Sequence, residues 1–157
     1  MVFSRDEIDD AFAVYQRHVH GGDWQAWADL FVEEAVYLEH EYGTFYGREA
    51  IRQWIVETMS HATGMAFPVE WHVVDGERVI WYVWNQFPKL PGHATSDFQF
   101  ASVSILRYAG NGRWASQEDV YNAREAAAVL AEYLQAAADA GVNLEGELRD
   151  LLGQQEL

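Results

Sequence analysis

The chain has 157 residues, of which half are hydrophobic and 15% are aromatic, and it carries a formal net charge of −15. This composition excludes an intrinsically disordered chain and predicts a single domain over residues 1–157, with a core large enough to contain an aromatic-lined interior. The negative charge argues against nucleic acid and anionic membranes as partners, because binding either of them requires clustered Lys and Arg side chains.

The sequence also lacks the residues needed for cysteine chemistry and the segments needed for secretion or membrane insertion. It contains no cysteine, which removes disulfides, thiolate catalysis and cysteine-ligated zinc. It has no basic and apolar signal segment at its start and no apolar run long enough to span a bilayer. We therefore expect a cytoplasmic protein with no membrane partner.

Two helices are predicted near the start of the chain. Ser4 is suited to cap a helix whose apolar residues recur at helical spacing until Gly21 and Gly22 end it. Tyr15 belongs to the apolar face of this helix and is expected to point inward. Asp23 is suited to cap a second, short helix that is rich in tryptophan.

The remaining elements follow from changes in hydrophobic period. A strand over 35–39, a turn at Gly43 and a brief strand over 44–46 lead into a helix over 47–60. From Phe67 the period becomes two, which predicts strands over 69–74, 79–87, 98–108 and 114–121, then a helix over 123–140 and a leucine-rich tail that forms one more short helix.

The order of these elements resembles the nuclear transport factor 2-like superfamily, in particular its SnoaL-like branch of polyketide cyclase and ketosteroid isomerase-like proteins. The likeness extends from about residue 6 to about residue 122. It is carried by Asp23-Trp24, Leu30-Phe31, the segment from Glu34 to Tyr37, the turn from Gly43 to Phe45 and the helix start from Gly47 to Ile51.

The resemblance implies an α+β fold with a curved antiparallel sheet wrapped around three N-terminal helices, described as a cone-shaped, cystatin-like α+β barrel with an added C-terminal helix. Its core would span about 5–122, and the C-terminal helix and tail 123–157. The superfamily hosts isomerases, cyclases, dehydratases, epoxide hydrolases and binding modules, so the fold alone does not select a function.

Hairpin parity predicts which side chains share one face of the sheet. A turn at Asp75-Gly76 places His72 on the same face as Trp81 and Asn85. A turn at Gly110-Asn111 pairs Ser102 with Asp119 and Phe100 with Tyr121, and places Ser104 and Gln117 on that same face. Trp71, Tyr82, Trp84 and Trp114 are expected on the opposite face.

The resemblance then indicates which of these residues carry chemistry. Asp119 falls at the acid/base aspartate of SnoaL-like cyclases, Tyr15 at the oxyanion-hole tyrosine of ketosteroid isomerases and Glu39 at the general base of those isomerases. His72 falls at one of two catalytic histidines of scytalone dehydratases. Val83 replaces an arginine of the limonene-epoxide hydrolase branch, which disfavours epoxide hydrolysis.

These observations predict a cofactor-independent lyase or isomerase that binds a small hydrophobic molecule with a carbonyl group or a ring. A desolvated carboxylate and a histidine are suited to proton transfer at neutral pH, so Asp119, His72 and Tyr15 are the expected catalytic residues. No metal site is expected, because no ligand spacing is recognisable. The expected substrate-binding residues are Glu39, Asn85, Trp54, Trp81, Phe100 and Tyr121.

The alternative hypothesis is a non-catalytic module that binds a small molecule or assembles with another subunit. The aromatic residues predicted for the outer face of the sheet would be exposed in an isolated monomer, so we expect a homodimer that buries this face.

Overall fold

The computed structural model describes residues 3–93 and 98–144, and the predicted short helix in the tail lies outside these residues. The helices are α1 (Arg5–Gly21), α2 (Trp24–Ala28), α3 (Arg48–Ser60) and α4 (Ala123–Asp139). The strands are β1 (Phe31–Glu39), β2 (Gly43–Tyr46), β3 (Val69–Asp75), β4 (Arg78–Gln86), β5 (Gln99–Gly110) and β6 (Arg113–Tyr121).

The predicted caps define the first two helices. The Ser4 hydroxyl accepts a hydrogen bond from the backbone N–H of Glu7 at 3.1 Å, and the Asp23 carboxylate accepts one from the N–H of Ala26 at 3.0 Å. Gly22 adopts a left-handed conformation with φ of 67°, which ends α1. The short polar side chains and the glycine thus fix where the N-terminal helices begin and end.

The sheet has six strands in the order β2-β1-β6-β5-β4-β3, and the helices pack on its concave face. Every neighbouring pair is antiparallel except β1 and β6, which run parallel. The expected α+β cone with a curved sheet is therefore confirmed, with one parallel strand pair in an otherwise antiparallel sheet. The sheet is mixed, and it does not close because β2 and β3 remain edges.

The second hairpin turns one residue later than predicted. Asn111 and Gly112 both have positive φ, at 54° and 71°, as the two-residue turn of a hairpin requires. Ser104 consequently pairs with Asp119, and Tyr121 moves opposite Ser102. This two-residue change in register preserves parity, so the predicted inner face is correct although the predicted partners are not.

Trp114 occupies the core, although parity had placed it on the outer face. Register irregularities at the β5–β6 turn bring Trp114 opposite Tyr108, and they reverse the alternation at this end of β6. Its side chain is 0% exposed and contacts the rings of Phe12 and Tyr15. A bulge therefore converts an expected surface tryptophan into a core residue.

The C-terminal helix packs beside the end of the sheet rather than over the main core. The ring of Tyr133 stacks on Phe87 with centroids 4.9 Å apart, and Leu130 belongs to the same cluster. None of the helices in the described part of the chain combines the length and hydrophobicity needed to cross a bilayer.

Candidate functional site

A cavity of about 200 Å³ lies between the concave face of the sheet and the helices. Its walls are mainly aromatic and aliphatic, and its polar groups concentrate where β1 runs beside β6. The structure places eight of the nine predicted site residues in this lining: Tyr15, Glu39, Trp54, Trp81, Asn85, Phe100, Asp119 and Tyr121.

Asp119 is held by three neutral donors. The Tyr37 hydroxyl donates to Oδ2, Gln117 Nε2 donates to Oδ1 at 2.9 Å, and Ser104 on β5 donates from the neighbouring strand. Burial raises the pKa of the Asp119 carboxyl, and these three hydrogen bonds oppose that rise. Asp119 is therefore a desolvated carboxyl that can exchange a proton closer to neutral pH than an exposed aspartate can.

Gln117 connects Asp119 to two tyrosines. Its Oε1 accepts a hydrogen bond from the Tyr15 hydroxyl at 2.8 Å, and its Nε2 donates to the Tyr37 oxygen at 2.9 Å. Burial, together with the charge of Asp119, raises the pKa of Tyr15. In this structure the Tyr15 hydroxyl donates its hydrogen to Gln117 rather than into the open cavity, and its expected role as an oxyanion donor stays a prediction.

Glu39 lies directly opposite Asp119 in the parallel strand pair. It is 4% exposed, and its Oε2 accepts from the backbone N–H groups of Glu41 at 2.8 Å and Tyr42 at 2.6 Å. Burial raises the pKa of the Glu39 carboxyl, a hydrogen bond from Tyr121 opposes this, and the charge of Asp119 adds to the rise. Two buried carboxyls thus form the polar end of the cavity.

His72 does not lie in the cavity, although the sequence predicted a catalytic role for it. Its side chain is exposed on the edge strand β3, and its ring contacts Phe12 with centroids 5.0 Å apart. Trp81 and Ser104 separate it from Asp119 across β4 and β5, a distance of roughly 14 Å for three strand spacings. Parity identified the shared face, but it cannot measure the distance along that face.

Asn85 and Trp54 form two of the walls, as predicted. Asn85 Nδ2 donates to the Ser102 hydroxyl at 2.9 Å, which fixes the amide on the β4–β5 side of the cavity. The ring of Trp54 from α3 lies with its centroid 4.9 Å from that of Tyr37 and 6.1 Å from that of Tyr42. Trp54 therefore packs against the two tyrosines that bond to the carboxyls, Tyr37 through its hydroxyl and Tyr42 through its backbone N–H.

The C-terminal helix contributes one wall of the cavity. Ala126, Ala127 and Leu130 of α4 reach its lining, where they join Phe87 and Phe100. Small side chains on α4 thus bound the space that is left for a ligand.

The sequence analysis missed Tyr37, Tyr42, Ser104 and Gln117 as site residues. Tyr37 lies two positions before Glu39 in β1 and shares its face, so strand alternation contained the signal for it. Ser104 and Gln117 had been placed on the inner face but were given no role. What was missing was the β1–β6 pairing, which brings Tyr37 beside Gln117.

Within residues 3–93 and 98–144, no three His, Asp or Glu side chains converge in a way that could hold a metal ion. The polar groups of the described cavity lining include carboxyls, hydroxyls and amides.

The family model of the SnoaL-like domain matches residues 11–117. No curated protein shows significant similarity to the chain. The matched segment includes Gln117, Glu39 and Tyr37, and it ends two residues before Asp119.

Solved structures with the same fold extend the match over most of the chain. A protein of ketosteroid isomerase-like fold from Catenulispora acidiphila, solved in complex with trimethylamine, is 23% identical, with coverage of 90% of this chain and 98% of that one and a TM-score of 0.61. A candidate SnoaL-like polyketide cyclase from Shewanella putrefaciens is 14% identical over 80% of this chain and 86% of that one, with a TM-score of 0.67.

An LEH-like epoxide hydrolase of M. tuberculosis is 13% identical over 85% of this chain and 96% of its own, with a TM-score of 0.65. At these identities, the likeness to the solved structures establishes the fold.

Proposed function

The chain belongs to the SnoaL-like domain family, and on that premise we propose that it is a cofactor-independent enzyme that moves a proton on a small, largely apolar molecule by general acid/base catalysis. The observation that carries this proposal is Asp119, a desolvated carboxyl with a raised pKa at the polar end of an aromatic cavity. The reaction class is a lyase or isomerase reaction beside a carbonyl group.

The proposed step begins with the Asp119 carboxylate. It removes a proton from the carbon next to a substrate carbonyl; the C–H electron pair forms a carbon–carbon double bond and the carbonyl pair moves onto oxygen. In this proposal the enolate oxygen accepts from the Asn85 amide, whose second N–H makes only a 3.4 Å contact with the Phe100 carbonyl in the free protein.

In a β,γ-unsaturated substrate the enolate is conjugated, so the oxygen pair re-forms the carbonyl, the double bonds shift and the protonated Asp119 returns the proton to the γ carbon, which completes an isomerisation. In a β-hydroxy substrate the oxygen pair re-forms the carbonyl, the bond between the β carbon and the hydroxyl oxygen breaks, and Asp119 gives its proton to the leaving hydroxyl, which departs as water and completes a dehydration.

Gln117 and Tyr15 support this step without contacting the reacting atoms. Gln117 donates to Asp119 Oδ1 while it accepts from Tyr15, so these two residues, together with Tyr37 at Oδ2, fix the orientation of the carboxylate. Both are positioning residues in this proposal. Epoxide hydrolysis is disfavoured, because Val83 stands in the cavity wall where the resemblance would require an arginine.

Proton abstraction can be measured before the natural substrate is identified. A panel of small cyclic ketones in D₂O is followed by NMR for exchange of the hydrogens next to the carbonyl. We expect the wild type to accelerate exchange for at least one ketone, and Asp119→Asn to slow it by about 10²- to 10⁴-fold. His72→Ala is the matched control, and its rate should equal that of the wild type because His72 lies outside the cavity.

Two results would contradict an acid/base function. One is an unchanged exchange rate in Asp119→Asn. The other is a panel in which ketones bind, as detected by tryptophan fluorescence, while none exchanges faster than in buffer. The second result would favour a small-molecule-binding module.

We also propose that the chain forms a homodimer through the outer face of β3 and β4. Trp71 is 47% exposed there and stacks on Tyr82, which in turn contacts Trp84. Exposed and contiguous aromatic residues of this kind favour burial against a second surface. A dimer is compatible with either function, since this face points away from the cavity.

A further inference from the structure

The charged groups in the cavity lining are all of one sign. Glu39 and Asp119 belong to the lining, and none of the described residues that form it is Lys, Arg or His. Every donor to these two carboxyls is neutral: hydroxyls, one amide and backbone N–H groups. Such donors stabilise a carboxylate, but they leave its negative charge uncompensated.

This arrangement has an electrostatic cost when both carboxyls are ionised. Glu39 and Asp119 lie opposite each other on neighbouring strands, which are about 4.8 Å apart, and the charge of Asp119 acts on Glu39. A charge removed from water is costly unless an opposite charge accompanies it. In the free protein a proton can serve that purpose, and in a complex a cationic ligand can do so instead.

The neighbouring rings decide which kind of cation fits. Tyr37 donates its hydroxyl to Asp119, Tyr42 donates its backbone N–H to Glu39, and the ring of Trp54 contacts both tyrosine rings. Aromatic rings attract organic ammonium groups, which are weakly hydrated. A hydrated metal ion would instead need several oxygen ligands to replace its water.

Most of the remaining cavity wall is apolar, apart from a few neutral polar side chains such as Asn85 and Ser102. Its aliphatic side chains include Leu130 of α4 and, from α3 and the segment that follows it, Ile55, Met59, Ala62 and Met65. A ligand that reaches the two carboxyls therefore keeps its remaining atoms in an apolar environment. The two carboxyls thus mark one acidic part of a cavity whose other walls carry no charge.

We propose that this cavity binds an organic cation, in which an alkylated ammonium group lies at the end formed by Glu39, Asp119, Tyr37, Tyr42 and Trp54, with an apolar body beyond it. The ammonium supplies the positive charge that the lining lacks. This assignment names the substrate class of the site proposed above and rests on that function only for the reaction that follows binding.

The binding step can be tested with two probes of nearly equal shape. Choline, which is (2-hydroxyethyl)trimethylammonium, differs from 3,3-dimethylbutan-1-ol in having nitrogen in place of the quaternary carbon, and so in charge. Affinities are measured by calorimetry and by tryptophan fluorescence at pH 8. We expect the wild type to bind choline at least about tenfold more tightly than the neutral alcohol.

Variants locate the binding. Glu39→Gln keeps the shape of the side chain and removes its charge, so it should reduce the preference for choline to about threefold or less. Glu70→Gln is the matched control, because Glu70 is an exposed carboxylate on the opposite face, bonded to Trp84, and its loss should leave both affinities unchanged. The denaturation midpoint of each variant confirms that it is folded.

Equal affinity for the two probes, failure of both to bind at about 50 mM, or an unchanged preference in Glu39→Gln would overturn the proposal. These results are separable from failure of the enzymatic function. Exchange of a neutral ketone without any preference for ammonium would refute the cation site alone, whereas choline binding without exchange of any ketone would refute the proton transfer alone.

Discussion

The two ends of the sheet use similar side chains in opposite surroundings. At β1 and β6, Tyr37 donates to Asp119 inside the cavity. At β3 and β4, Trp84 Nε1 donates to Glu70 Oε2 at 2.7 Å on the outer face, beside Trp71. Both places combine aromatic rings with a carboxylate, and in both a ring donor bonds to that carboxylate.

The difference between them is access to water. At the outer face, solvent screens the charge and the hydrogen bond competes with water, so such a pair contributes little to stability. In the cavity, burial raises the pKa of Asp119, and water does not replace a hydrogen-bond partner that is lost. The hydrogen bond between Trp84 and Glu70 therefore has little effect on stability, whereas the one between Tyr37 and Asp119 influences the pKa of a buried carboxyl.

The largest difference between the two ends should appear when a hydrogen-bond partner is removed. Gln117→Leu leaves the Tyr15 hydroxyl without its acceptor and Asp119 without one donor, so we expect a loss of about 3 kcal/mol in the free energy of unfolding. The measurement is urea denaturation at constant m-value. Gln86→Leu is the control: Gln86 bonds to Gln99 at 3.0 Å, and its loss should cost less than about 1 kcal/mol.

Equal costs for the two glutamine variants would contradict a special role for the buried network. Gln117 would then contribute no more to stability than the partly exposed Gln86, and Tyr15 could not be assigned as a positioning residue.

An intermediate effect is expected at the outer face, where the proposed dimer would bury Trp71. Trp71→Ser should weaken dimerisation by about 2 kcal/mol, or roughly thirtyfold, because exposed aromatic side chains dominate such interfaces. Analytical ultracentrifugation measures the dissociation constant. Tyr46→Ser is the control: Tyr46 is 73% exposed, yet it lies on the opposite edge strand β2. A wild type that remains monomeric at all concentrations would exclude this dimer.

The smallest effect concerns the pH dependence of stability. A raised pKa means that the folded protein keeps the proton of Glu39 or Asp119 at a pH where the unfolded chain has lost it. This contribution stabilises the fold below the unfolded pKa and is lost as the pH rises through the folded pKa. Between pH 4.5 and pH 8 the free energy of unfolding of Asp119→Asn should therefore decrease less than that of the wild type, by on the order of 1 kcal/mol. Denaturation curves that shift with pH in parallel for both proteins would contradict it.

Local patterns predicted the elements and most of the inner face. Capping by Ser4 and Asp23, helical spacing and the change to a period of two are properties of neighbouring residues, and the structure confirms them. Parity likewise brought Asp119, Asn85 and Trp81 into one lining, because side chains alternate strictly along a strand.

What failed depends on contacts between distant segments. The parallel pairing of β1 with β6 joins residues about eighty positions apart, and it is what brings Tyr37 beside Gln117. The position of His72 depended on strand order, and that of Trp114 on a bulge. Strand pairing, strand order and bulges do not change the hydrophobic pattern of neighbouring residues. The sequence pattern therefore could not predict the polar network or the position of His72 outside it.

The alanines at the start of α4 have a consequence for how this cavity can diversify. Ala126 and Ala127 bound it from a helix that contributes nothing to the cluster of Asp119, Glu39 and Gln117. A larger side chain at either position would reduce the length of ligand that the cavity accepts by one or two methylene groups. The protonation of Asp119 and Glu39 would not change. Ligand length and acid/base chemistry are thus encoded in separate segments of the chain, so mutation can alter the first without disturbing the second.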